Sequence, residues 1–253
     1  MTGSKHIIIT TRQDPDLVSR SQKRIGAHWP EFMLHDPTAQ LLADCYEHVP
    51  DFQFVLVPEG GGEAMAIGNS IPLAWKGRPE ELPEDGWDWA LRRGIEDLDA
   101  GREARILCAL QIVVFDEYRS SGISGEVVAA MKGLGAQAGL QGMIAPVRPS
   151  RKAEFPREDI EDYIRRKDAQ GLPFDPWLRV HCRLGARIIR PCRNSMRISG
   201  TVAEWESWTG MSFPESGSYE VPGALVPVQI DRERDLGLYI EPNVWMYHSP
   251  AGG

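Results

Sequence analysis

Residues 113–124 combine an apolar strand, a short turn and a run of small residues that could bind an anion. The segment Arg119-Ser-Ser-Gly-Ile-Ser124 stands where a helix is expected to begin. The first backbone N–H groups of a helix lack intrahelical partners and lie at the positive end of the helix dipole. Glycine would let a phosphate approach these groups, and the hydroxyls of Ser120, Ser121 and Ser124 could add donors. An ordinary strand-to-helix turn capped by serine fits the same spacing.

A histidine near the end of a later predicted helix is the second group that could do chemistry. The helix is predicted over 175–185, with Pro176 in its first turn and Gly185 at its end. His181 lies four residues before Gly185. An imidazole titrates close to neutral pH and could donate or accept a proton there. Cys182 is adjacent, but neighbouring helical positions point about 100° apart, so the two side chains would not share one site.

The elements that must position these groups follow the order β-α-α-β-β-insert-β-α-β-α-β-β. Strand patterns occur at 5–11, 52–57, 64–73, 104–115, 142–147, 186–191, 225–230 and 239–247. Helical patterns occur at 14–27, 38–47, 87–98, 125–139, 158–170 and 175–185. Residues 74–104 and 193–224 are expected to be inserts in a single domain over 1–253, the second insert being irregular. Hairpins mixed with crossover helices predict an α/β fold with a mixed, mainly antiparallel central sheet flanked by helices.

The strand, the turn and the small-residue motif together resemble the GNAT superfamily of N-acyltransferases, which use acyl-coenzyme A. Its signature is Arg/Gln-x-x-Gly-x-Gly/Ala, and here Ser124 replaces the last small residue. The resemblance is clearest over 104–192. It implies a GNAT fold and a loop whose backbone amides bind the coenzyme A pyrophosphate. The implied loop residues are Arg119, Ser120, Ser121, Gly122, Ile123 and Ser124.

The resemblance also implies roles for the preceding strand and for the histidine. Backbone groups of Val113 and Val114 would hold the pantetheine arm and the acyl carbonyl of the donor. Family members often carry Tyr-x-x-x-Gly-Phe where this chain has His181-x-x-x-Gly-Ala186. Because that tyrosine often protonates the departing thiolate, His181 becomes the candidate acid, with a structural role as the alternative. The general base is not assigned, since water-mediated deprotonation with close approach of the reactants can suffice.

The functional hypothesis is transfer of an acetyl or related acyl group from acetyl-CoA or a related acyl-CoA to a small acceptor, with an amine favoured. The histidine pattern is also similar to a GNAT-like branch that decarboxylates malonyl thioesters or transfers acyl groups to sulfur. A non-catalytic acyl-CoA-binding protein is a third alternative. No His-Glu-x-x-His or Cys-x-x-Cys pattern occurs, so no metal is expected.

Composition limits the class of partner. The 253 residues hold 28 basic and 36 acidic side chains, a net charge of −8, which argues against a nucleic-acid binder. Acidic residues concentrate in 80–99 and 204–241, so we expect these segments to rim the acceptor side and favour a cationic amine. Arg148, Arg151 and Lys152 could meet the 3′-phosphate of coenzyme A or an anionic acceptor, or form a solvated basic turn.

The remaining expectations concern the cell and the assembly. Four cysteines without close spacing indicate reduced thiols in a cytoplasmic protein. No apolar stretch reaches the roughly 20 residues that span a bilayer, so no membrane association is expected. The chain is expected to be a monomer or a homodimer.

Overall fold

A computed structural model describes residues 6–119 and 121–250, which are built around one mixed β-sheet. The nine strands of these residues are β1 (His6–Thr10), β2 (Gln53–Pro58), β3 (Ala66–Leu73), β4 (Ile106–Val114), β5 (Met143–Val147), β6 (Ala186–Gly200), β7 (Gly217–Tyr219), β8 (Val228–Asp231) and β9 (Leu236–His248). Their order in the sheet is β1-β2-β3-β4-β5-β9-β8-β7, and β6 pairs with β9.

Helices cover the sheet and connect its strands. Those of the described residues are α1 (Pro15–Gln22), α2 (Leu42–His48), α3 (Gly86–Asp99), α4 (Ile123–Gln137), α5 (Ile160–Arg165), α6 (Pro176–Arg183) and α7 (Val202–Thr209). None of these helices combines the length and the apolar composition needed to cross a membrane.

Strand pairing is antiparallel throughout the described sheet except between β4 and β5, which are parallel. The predicted mixed, mainly antiparallel sheet with flanking helices is therefore confirmed. A parallel pair requires a crossover connection, and α4 supplies it.

The near-continuous apolar run of β4 reflects burial on both faces. Successive strand residues point to opposite faces of a sheet. Leu107 packs in the core on the α4 and α6 side, whereas Cys108 packs in the core that includes α3. Both side chains are fully buried, so neither face of β4 has room for a polar side chain at these positions.

Several predicted boundaries differ from the structure. The helix expected at 38–47 is a 3-10 helix, Pro37–Leu41, followed by α2, because Asp36 caps the chain just before Pro37. The helix expected at 158–170 is confined to α5. The segment expected to be irregular from residue 193 continues β6 to Gly200, since β6 pairs with β9 along its length and accommodates its polar residues in a register shift between Cys192 and Met196.

Candidate active site

The parallel strands β4 and β5 separate soon after they meet. Only two pairs, Leu107 with Met143 and Cys108 with Ile144, join them. Beyond Cys108 and Ile144 the facing strand edges diverge and line a cavity of about 770 Å³. Backbone N–H and C=O groups along such a gap are free to bind an elongated ligand.

A bulge in β4 determines which backbone groups face this gap. The register with β3 shifts so that Leu110 is the extra residue, and its carbonyl oxygen accepts a hydrogen bond from Trp87 Nε1 at 2.8 Å. Past the bulge, Phe115 N–H donates to the Met65 carbonyl of the neighbouring chain segment at 3.0 Å. Alternation then directs the backbone of Val113 toward β3 and that of Val114 toward the gap.

This alternation corrects one detail of the predicted donor site. A backbone role facing the gap fits Val114 and Ile112, which both line the cavity. Val113 instead pairs with Ile67 of β3 and packs its buried side chain into the core beneath α1. The sequence could not reveal the difference, because a one-residue bulge reverses which positions face outward.

The start of α4 offers an open set of backbone donors. Gly122 precedes the helix with a φ of 85°, and as a glycine it supplies no side-chain cap. A Cβ placed on Gly122 would meet nothing within 4 Å, so the space beside this backbone is open. These observations fit an anionic group at the helix start and therefore fit the pyrophosphate of coenzyme A.

The remaining predicted loop residues differ in position. Arg119 and Ser124 line the cavity, and Ser120 lies outside the described residues. The Ser121 hydroxyl donates to the Tyr118 carbonyl instead of being available to a ligand. Ile123 is buried in the core on the α4 side.

Arg119 is held by two neighbours at the mouth of the cavity. Its Nε lies 2.9 Å from Asp116 Oδ1, and its Nη2 lies 3.1 Å from His28 Nδ1. The arginine side chain is 60% exposed, so this ion pair contributes little to stability. Its guanidinium group is nevertheless oriented beside the loop that precedes α4.

His181 lines the cavity from α6 and forms a buried pair with His248 of β9. The two rings are joined between His181 Nδ1 and His248 Nε2 at 2.9 Å. Neither His181 Nε2 nor His248 Nδ1 has a hydrogen-bond partner among the described residues.

Burial, reinforced by the neighbouring His248, lowers the pKa of His181 to about 3. Burial, reinforced by the positive charge of Lys132, lowers the pKa of His248 to about 4. Both imidazoles are therefore neutral at physiological pH.

Part of the cavity wall consists of aromatic and amide side chains. Trp29, Tyr46, Trp87, Gln40 and Asn243 contribute to it. Sequence reasoning missed these residues because they come from four separate segments that only the folded sheet brings together.

The basic segment after β5 is not a solvated turn. Lys152 is fully buried and donates from Nζ to the Leu225 carbonyl at 2.9 Å. Arg151 pairs with Glu154 on the surface. Of the three predicted cations, only Arg148 lines the cavity.

The expected acidic rim is also absent from the cavity wall. No Asp or Glu lines the cavity in the part of the chain that the structure describes. Within the segment 80–99, Glu80 pairs with Arg187 at 2.8 Å, Glu84 contacts Arg190, and Asp97 is buried. Likewise, residues 6–119 and 121–250 contain no cluster of three or more side chains suited to a metal ion.

Comparisons with known proteins agree with this geometry. No protein-family model matches the chain. It is 31% identical over 247 residues to the arginine N-acetyltransferase avaD of Aspergillus versicolor, with 87% of this chain and 84% of that protein covered. Its fold is similar to the loading GNATL domain of CurA from Lyngbya majuscula, with a TM-score of 0.57, 15% identity, and 97% and 98% of the two chains covered.

The identity and the coverage of the fungal relative show that the chain belongs to the GNAT superfamily of acyl-CoA N-acyltransferases. It is an N-acetyltransferase that takes its acyl group from acetyl-CoA and passes it to a small acceptor. The family, the fold and the donor inferred from the sequence are confirmed.

Proposed function

We propose that this chain acetylates a nitrogen atom of arginine or of a closely related small amine. The observation that carries the proposal is the 31% sequence identity to an arginine N-acetyltransferase, which extends over most of both chains. The cavity supports it, because about 770 Å³ is within the usual range for small-molecule sites. Its aromatic wall includes the half-buried Trp29, whose ring can stack on a planar guanidinium group.

The donor is placed by backbone groups along the gap and at the start of α4. Acetyl-CoA supplies a thioester whose carbonyl carbon is open to attack by an amine. The N–H groups that begin α4 after Gly122 hold the pyrophosphate. The backbones of Ile112 and Val114 hold the pantetheine arm and stabilise the oxygen that gains negative charge during transfer.

His181 assists departure of the coenzyme A thiolate. Its lowered pKa leaves it without an extra proton at neutral pH, so it acts as a neutral hydrogen-bond donor through Nε2. This tautomer requires His248 Nε2 to donate to His181 Nδ1 across their 2.9 Å contact. This hydrogen bond stabilises the negative charge that develops on the sulfur. The amine nitrogen becomes acidic once it has attacked the carbonyl, and it releases the proton that reaches the thiolate through water.

The amine attacks in its uncharged form after losing a proton to water. No carboxylate lines the described part of the cavity, so none is assigned as the base. Holding amine and thioester together in one cavity supplies much of the rate enhancement.

Thiol release from acetyl-CoA tests the proposal. We expect free thiol and acetylarginine, identified by mass spectrometry, only when L-arginine is present with the purified protein. Release of carbon dioxide from malonyl-CoA without an amine would support decarboxylation instead. Calorimetric binding of coenzyme A without turnover of any amine would support a non-catalytic binding protein. Absence of coenzyme A binding would contradict all three functions.

A further inference from the structure

We propose that Arg148 forms a carboxylate-binding subsite on the acceptor side of the cavity, so that the preferred acceptor carries a carboxylate as well as an amine. The inference rests on the proposed function and specifies the chemical class of its substrate. Arg148 directly follows β5, at the margin of the gap between β4 and β5. It lines the cavity and stands on the opposite side of the sheet from α4.

The position of Arg148 follows from strand alternation. Ala145 and Val147 of β5 pack in the core beneath α4, whereas Ile144 packs in the core that includes α3. Alternate residues of a strand share a face, so Arg148 lies on the same face as Ile144. The start of α4, which is assigned to the donor, is on the other face.

The guanidinium group of Arg148 is fixed before any ligand binds. Its Nε lies 3.0 Å from both carboxylate oxygens of Glu241, and its Nη2 donates to the Gly223 carbonyl at 2.6 Å. These bonds use Nε and Nη2, whereas Nη1 has no hydrogen bond to a described residue and remains for a ligand. The guanidinium carbon also lies 5.8 Å from the ring centroid of Trp29, another residue of the cavity lining. The Arg148 side chain is 21% exposed, whereas that of Glu241 is fully buried. An arginine held in this way loses little conformational freedom when it binds an anion.

Glu241 accepts hydrogen bonds from other side chains besides Arg148, and these bonds hold its carboxylate in place. The Tyr239 hydroxyl donates to Glu241 Oε2 at 2.8 Å, and Asn243 Nδ2 donates to Glu241 Oε1 at 3.0 Å. Ser195 Oγ donates to Asn243 Oδ1 at 2.6 Å and so extends the network. The network keeps the guanidinium in one orientation at the cavity wall.

The charges around the cavity favour an anion at this point. Arg119 and Arg148 are the cationic side chains of the described lining, and Arg119 stands beside the donor loop. Their carboxylate partners, Asp116 and the buried Glu241, are not among the residues that line the cavity, so the described lining itself presents cations and no carboxylate. Burial opposes the charge of Arg148, but the adjacent Glu241 outweighs burial and raises the pKa of Arg148. The guanidinium is therefore charged at any pH at which the amine can react.

The acceptors themselves provide the first test. L-Arginine, argininamide and agmatine keep the guanidinium group and a primary amine, but only L-arginine has a carboxylate. We expect kcat/KM to be roughly 10- to 100-fold higher for L-arginine than for the other two, as for loss of a hydrogen bond to a charged group. If none of the three is acetylated, the proposed function fails. If all three are acetylated equally well, the carboxylate subsite alone fails.

Substitution provides the second test and identifies the anion. Removing Arg148 alone would leave Glu241 buried and unpaired, so the test uses Arg148→Met combined with Glu241→Gln. The double variant should lose the preference for L-arginine over argininamide while its KM for acetyl-CoA stays constant. Arg151→Met, which removes an exposed cation of the same segment, should keep the preference. If the double variant instead loses discrimination between coenzyme A and 3′-dephospho-coenzyme A, Arg148 serves the donor and the inference is overturned.

Discussion

The buried pair of His181 and His248 makes the stability of the protein depend on pH. Burial lowers the pKa of His181 to about 3 and that of His248 to about 4, whereas both ordinarily lie at 6.5. Between these values the unfolded chain binds protons that the folded protein does not. The free energy of unfolding contributed by the pair is therefore fully present above pH 6.5 and is lost as the pH falls below it.

The size of this loss follows from the pKa differences. When the pH is lowered from 8 to 5, protonation of each imidazole stabilises the unfolded chain by about 2 kcal/mol. The folded protein gains no such stabilisation, because the folded-state pKa of each imidazole lies below this range. The pair together contributes about 4 kcal/mol to the loss of stability. That amount is a large part of the ~5–15 kcal/mol by which domains are usually stable.

Asp88 acts in the opposite direction and must be separated from the pair. Burial, with the charge of neighbouring Asp36, raises the pKa of Asp88 from 3.8 to about 7. Between pH 8 and pH 5 the folded protein therefore binds a proton that the unfolded chain does not, which adds about 3 kcal/mol of stability. Burial also raises the pKa of Asp36, which adds to the contribution of Asp88. The pH dependence of the natural chain includes these opposing contributions, so it does not report on the histidines alone.

Urea unfolding of matched variants isolates the pair. The variant His181→Leu/His248→Leu removes both imidazoles and leaves no unpaired hydrogen-bonding atom between them. Between pH 8 and pH 5, its free energy of unfolding should fall by about 4 kcal/mol less than that of the natural chain. In the control Asp88→Asn the fall should instead become steeper, by about 3 kcal/mol. Parallel curves for the natural chain and the double variant would refute the reasoning.

Three further substitutions test individual contacts of the site. His181→Phe should lower kcat roughly 10- to 100-fold in the thiol-release assay, as expected for loss of a hydrogen bond to the charge that develops on the sulfur; an unchanged kcat, equal to that of the exposed control His48→Phe, would remove the catalytic role. Gly122→Ala should cost about 1–2 kcal/mol in urea unfolding, because its φ of 85° is strained for residues with a Cβ; equal stability would show that the loop relaxes freely. Trp87→Phe removes the donor to the Leu110 carbonyl and should cost about 1–3 kcal/mol by the same measurement, since that oxygen would be left buried without its partner; a loss no larger than that of an exposed substitution would argue against this contact.

The fold was predictable where one segment carries its own pattern. The apolar run of β4 and the spacing of Val127, Val128 and Met131 in α4 each reflect burial in the core between the sheet and α4. The long β6 was not predictable, because its polar residues Arg193 and Asn194 resemble a loop. They lie in the register shift between the pairs Cys192–Asn243 and Met196–Glu241, and the strand continues past them because β9, more than forty residues later in the chain, pairs on both sides of the shift.

The candidate site was predictable in part for the same reason. The loop before α4 and His181 carry local motifs, and the structure places Arg119, Ser124 and His181 around one cavity. The partners that fix the site come from β9, whose position between β5 and β6 no local pattern encodes. His248 and Asn243 therefore stayed unassigned until the strand pairing was known.

The alternation of β9 has a consequence for how this enzyme could diversify. Glu241 and Asn243 have odd numbers and face the acceptor side, whereas His248 has an even number and faces the side of α4 and α6. One strand thus holds the residues that choose a substrate and the residue that supports the chemistry, and it holds them on opposite surfaces. Substitutions at the odd positions can change acceptor preference while the imidazole pair stays in place. Acceptor specificity could therefore change during evolution while the catalytic residues stay the same.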